Sequence, residues 1–188
     1  MRKALVALAL VSVCPVVSAE LKEGAIAYAK GDFTVALREL RPVADEGYAM
    51  GQYLLGAALL NAKPPIHDLA AAEAWVKKAA EQGHLAAMRD LGRLNWFPKN
   101  PSDLARAARW LRPGADRGDA ESQHLLGLLY LDGKGVERRA AEAYRWLLLA
   151  GERGHVLSGV ILRESRGQFS DQDRVEGEQL AAAWKPIR

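Results

Sequence analysis

The sequence predicts an all-α protein, a solenoid of stacked antiparallel helix hairpins, and three recurrences predict it. WVKKAAEQGHLA at 75–86 returns as WLRPGADRGDAE at 110–121 and as WLLLAGERGHVL at 146–157. Trp75, Trp110 and Trp146 are 35 and 36 residues apart, and Gly47, Gly83, Gly118 and Gly154 follow at 36, 35 and 36. Leu55-Gly56, Leu91-Gly92 and Leu126-Gly127 keep the same period, 36 then 35. A period of this size marks a supersecondary unit that buries its apolar face only by stacking on its neighbours.

Each unit reads as two helices. In the third, AESQHLLGLLYL (120–131) carries a run of apolar residues around Gly127, and DGKGV (132–136) is a turn in which glycine supplies positive φ. ERRAAEAYRWLLLAGERG (137–154) is the second helix, with Ala140, Ala143, Trp146, Leu147 and Ala150 at helical spacing. Gly154 stands where a left-handed C-cap is expected, and Gly47, Gly83 and Gly118 repeat that stop. Glycine inside a helix costs roughly 1 kcal/mol against alanine. Gly56, Gly92 and Gly127 are therefore expected where a neighbouring helix comes close, with the tryptophan of the second helix beside the gap.

The first nineteen residues read as a cleavable signal peptide. Arg2 and Lys3 precede the apolar run 4–17, and Val17-Ser18-Ala19 offers small residues before Glu20. The run is shorter than the ~20 apolar residues of a bilayer crossing, so no stable span is expected after cleavage. Cys14 raises a lipoprotein reading, which Val13 disfavours.

Loss of Arg2 and Lys3 leaves 24 basic and 23 acidic residues. So balanced a surface lacks the basic stripe of a nucleic-acid binder, and none is expected as a partner. The only cysteine, Cys14, leaves with the signal, so neither a disulfide nor a thiol nucleophile is expected in the exported chain.

Ala-x-Ser-Gln-His-Leu-Leu-Gly-Leu-Leu-Tyr-Leu-Asp-Gly-Lys-Gly-Val from Ala120, followed by Ala-Glu-Ala-Tyr-Arg-Trp and a glycine eight residues after the tryptophan, resembles the Sel1-like repeat. That family is related to the tetratricopeptide repeat. The resemblance implies a right-handed superhelix whose concave side is lined by first helices, acting as a protein-interaction module. It places repeats at about 48–83, 84–118 and 119–154 within one domain, 20–188. The segment 20–47 would be an opening tetratricopeptide-like unit turning at Gly31-Asp32-Phe33, and 155–188 would be closing helices with Ser170 and Asp173 as a capping pair. Two turns depart from the glycine pattern, Ala62-Lys63-Pro64-Pro65 and NWFPKNPSD (95–103), and are expected to be stiff contact points. The cysteine pairs of some exported members are absent, which weakens any inference of β-lactam binding or hydrolysis.

Catalytic and metal-binding patterns are sparse, and neither an enzyme nor a cofactor is expected. His67, His84, His124 and His155 include no i, i+4 pair for zinc. The recurrence of His84 and His155 after the repeat glycine points to the helix junction. Asp171-Gln172-Asp173 lacks the glycine and distal glutamate of a calcium loop, and Gly133-Lys134-Gly135 lacks the spacing of a phosphate loop. No serine sits in G-x-S-x-G or S-x-x-K.

Three stripes on the first helices are candidates for a partner-binding groove. They are Tyr53, Ala57 and Leu60, then Arg89, Arg93 and Trp96, then His124, Leu128 and Leu131. Together they make a band with a basic centre and aromatic flanks, suited to a peptide segment or partner protein of acidic character. Tyr53 and His124 also read as half-buried packing residues. The alternative is a repeat-fold ligand binder or hydrolase acting on cell-wall or β-lactam-like compounds. A third reading is a structural subunit of an envelope complex that buries its ends near Phe33 or Trp184.

Overall fold

A computed structural model describes residues 15–95 and 102–187. Among them the chain forms α1 (Pro15–Ala29), α2 (Phe33–Asp45), α3 (Ala49–Asn61), α4 (Leu69–Glu81), α5 (Leu85–Leu94), α6 (Ser102–Asp116), α7 (Ala120–Asp132), α8 (Ala140–Glu152), α9 (Val156–Glu164) and α10 (Asp171–Ala183). Each helix from α1 to α8 packs against the next, the pattern of a solenoid. No strand occurs among the described residues, and no described helix is long and apolar enough to cross a membrane.

The hairpins turn on the repeat glycines. Gly47, Gly83, Gly118 and Gly154 have φ of +93°, +89°, +90° and +86°. The residue after each one closes the helix by donating to the carbonyl five residues back. The bonds are Tyr48 to Val43 at 3.3 Å, His84 to Ala79 at 3.1 Å, Asp119 to Gly114 at 3.0 Å and His155 to Ala150 at 3.0 Å. This is the Schellman closure expected of a glycine C-cap, made four times.

The helix-interior glycines sit where first and second helices of one unit touch. A Cβ on Gly56 would lie 2.9 Å from the Ala72 carbonyl oxygen and 2.7 Å from Val76 Cγ2. Gly92 and Gly127 face Leu111 and Leu147 in the same way. The large side chain at the gap is thus the residue after each tryptophan rather than the tryptophan itself. One residue along a helix is a rotation of about 100°. That turn brings Trp110 to a cluster holding Val76 of the preceding unit and Leu91 of its own, and Trp146 to one holding Leu111 of the preceding unit and Leu126 of its own. The tryptophans therefore join units, and the residue that follows each one closes its own hairpin.

The stack ends by a change of pattern. Leu162-Arg163 takes the place of the repeat's Leu-Gly, so the close approach of a second helix to α9 is lost. Instead α10 docks along α8, with Gly177 against the Ala141 carbonyl and Tyr144. Trp184 lies 4.3 Å from the Arg153 guanidinium. Ser170 and Asp173 form the expected capping box. At the other end, the turn expected at Gly31-Asp32-Phe33 lies between α1 and α2, and Asp32 caps α2. The buried residues of α1, Gly24 and Ala27, lie beyond the expected cleavage point at Ala19–Glu20, although α1 itself runs through it. Of the two prolyl turns, most of 95–103 lies outside the described residues.

Candidate interaction surface

Tyr53, Arg89 and His124 occupy one repeat position, spaced 36 and 35 residues apart, on α3, α5 and α7. His84, Asp119 and His155 occupy another, the N-caps of α5, α7 and α9. Each member of the first set meets the cap of the next first helix. Tyr53 stacks on His84 with ring centroids 4.5 Å apart, and His124 stacks on His155 at 4.0 Å. Between them, Arg89 reaches Asp119 at 3.4 Å. The result is a three-rung ladder with one geometry and three chemistries.

The caps explain the recurring histidines. The Ala87 N–H donates to His84 Nδ1, and the Ser158 N–H to His155 Nδ1, each at 3.3 Å. An accepting Nδ1 leaves the proton of His155 on Nε2, which donates to Glu121 at 3.1 Å. Ser158 Oγ lies 2.9 Å from His124 Nδ1 and 3.1 Å from His155 Nδ1, linking both rings. Serine, histidine and glutamate thus meet, yet Ser158 is fully buried, so its hydroxyl is out of a substrate's reach. Sequence reasoning missed this cluster. Its signal was Asp119, a strong N-cap residue at the position shared by both histidines.

The expected groove residues divide accordingly. His124 is only 7% exposed and lies at the junction of α7 with α9. Ala57 and Leu131 are likewise buried. Burial, then the charge of His155, holds the His124 pKa down at about 4. Tyr53 is half-buried and donates to Asp90 at 3.0 Å; burial first, then Asp90, pushes its pKa up to about 12. Burial opposes the charge of Arg89, but Asp119 and Asp90 outweigh it and raise its pKa. The basic centre is therefore largely neutralised at Arg89. Arg93 is exposed, with no ion pair or hydrogen bond among the described residues. It borders a recess of about 450 Å³ with Leu60, Asn61, Asp90 and Leu94. Trp96 lies outside the described residues.

A model of the Sel1 repeat matches residues 49–84, 85–119 and 120–155. The chain belongs to the Sel1 repeat family. This Sel1-repeat protein is similar in fold to a Sel1 repeat protein from Oxalobacter formigenes, with a TM-score of 0.69 and 23% identity over 88% of this chain and 70% of that one. It also resembles a protective antigen present in uropathogenic Escherichia coli strains that displays the SLR fold, with a TM-score of 0.51 and 22% identity. That match covers 89% of this chain but 45% of the antigen. Sel1 repeats generally serve as scaffolds for protein–protein interaction and are generally non-enzymatic.

Proposed function

We propose that this Sel1-repeat protein is an exported, periplasmic interaction module whose first-helix face takes an acidic segment of a partner protein. Arg93 carries the reading. It is an exposed residue with no ion pair among the described residues, set beside the apolar walls of Leu60 and Leu94. Desolvating a partner carboxylate against that guanidinium gives a charge-assisted contact, and the leucines take the adjoining apolar side chain. Neighbouring Asp90 is held by Tyr53 and Arg89 and so competes little for Arg93. Export rests on the basic start, the apolar run and Val17-Ser18-Ala19. Gly24 and Ala27, the buried residues of α1 among those described, stay with the cleaved chain.

The test is crosslinking capture from the native envelope with wild type, Arg93→Glu, and Arg117→Glu as a charge control. A partner captured by wild type and by the control, but lost in Arg93→Glu, supports the groove. Equal capture by all three variants sinks it. For export, intact-mass analysis should find a chain beginning at Glu20 in the periplasmic fraction, and an uncleaved cytosolic chain counts against it.

A further inference from the structure

The layer of second helices carries a cleft that the groove does not involve. It lies between α4 and α6, encloses about 350 Å³, and is lined by Glu73 and Lys77 of α4, Leu91 and Asn95 of α5, and Arg106, Arg109 and Trp110 of α6. Its volume is at the lower end of small-molecule sites.

One repeat later the same positions show how this arrangement closes on itself. There Glu142 pairs with Arg145 at 3.4 Å, and the Arg145 guanidinium lies 4.0 Å from the ring centroid of Trp146. Trp146 is fully buried beneath it. In the second unit the residue three before the arginine is Arg106 rather than a glutamate, and Arg106 is itself tied to Asp103. Arg109 therefore has no carboxylate within one turn on its own helix. It makes no ion pair or hydrogen bond among the described residues, and Trp110 stays partly exposed. The position facing it from the preceding second helix is Glu73, where the later cleft has Ala108. Glu73 also has no partner among the described residues, whereas Lys77 is paired with Glu81.

We propose that this cleft binds a small zwitterion, a neutral α-amino acid. Its carboxylate goes to Arg109 on the α6 wall, its ammonium to Glu73 on the α4 wall, and its side chain lies on Trp110 and Leu91. The one substitution of Arg106 for glutamate leaves a guanidinium and an indole open, and Glu73 supplies the opposite charge. A purely anionic ligand would meet Glu73 unfavourably, and a purely cationic one would meet Arg109.

Leucine, N-acetylleucine and leucinamide are the probes, with the Trp110 indole N–H resonance of the labelled full chain as reporter, assigned by Trp110→Phe. Leucine is expected to move that resonance saturably at millimolar concentration. Either capped form should bind about tenfold more weakly or worse, the scale of one lost charge-assisted contact. Glu73→Gln should weaken leucine about as much as acetylation does and should not weaken N-acetylleucine. Arg109→Gln should behave in the same way toward leucinamide. Both side chains are exposed, so circular dichroism of the variants should match wild type. An unmoved Trp110 resonance, equal affinity for the three probes, or leucine binding indifferent to both substitutions overturns the proposal.

Discussion

His124 and His155 lie ring over ring, 4.0 Å between centroids and 26° from parallel, joined through the hydroxyl of Ser158. This contact fastens α9, the last first helix, to α7. It also sets a dependence on pH. His124 titrates near 6.5 unfolded and at about 4 folded, so the unfolded chain takes the proton first as pH falls. Its contribution to stability is complete above about 6.5 and is lost progressively toward 4. Burial lowers His84 in the same direction. Urea midpoints measured from neutral to acidic pH should fall over that window. His124→Gln should flatten the part assigned to this ring, and an imidazole resonance of His124 titrating at its ordinary pKa would show that the site is open.

Two glycines in the middle of helices should respond oppositely to alanine. Gly56→Ala drives a methyl against the Ala72 carbonyl at 2.9 Å and should destabilise by about 1–3 kcal/mol despite better helix propensity. Gly159 in α9 meets nothing nearer than Arg163 Nη1 at 3.7 Å, so Gly159→Ala should stabilise by up to about 1 kcal/mol. Thermal melts of the pair settle it, since equal shifts of one sign would contradict the packing account.

Asp119 has two roles that substitution can separate. It caps α7 through the Ser122 N–H at 2.9 Å, and it takes the Arg89 guanidinium at 3.4 Å. Asp119→Ala should cost about 1 kcal/mol or more through the cap. Arg89→Met should cost less, because a partly exposed pair is worth about 0–1 kcal/mol. Denaturant titration giving a larger loss for Arg89→Met would reverse that ranking.

Trp184 holds the C-terminal helix. Its ring lies over Arg153 and within 3.4 Å of where a Cβ on Gly118 would stand. Trp184→Ala should speed hydrogen exchange throughout α10 while exchange in α3 to α5 stays at the wild-type rate, as expected of a chain whose units contact only neighbours. Uniform acceleration would mean that the end helix supports the entire stack.

The period of the repeat was legible because each mark has a local cause. A glycine is needed where the helix closes in the left-handed region, and another where two helices touch, so both recur with the unit. The Ser170–Asp173 cap was legible for the same reason, since its two residues lie within one turn. Which residue of the second helix fills the gap, the tryptophan or the one after it, was not legible, because helical phase at one residue's resolution depends on how the helices sit. The burial of His124 was not legible, because a repeat position reads alike whether the next helix covers it or not.

The sequence alone therefore determined the helical class, the hairpin period and the closing glycines. These follow from backbone conformation and composition, which act within a few residues. Only the tertiary structure decided which cations are neutralised. Arg89 finds Asp119 thirty residues away, Arg145 closes on Trp146, and Arg93 and Arg109 have no ion pair among the described residues. Charge pairing depends on distances of a few ångströms between different helices, and those distances exist only once the units have stacked.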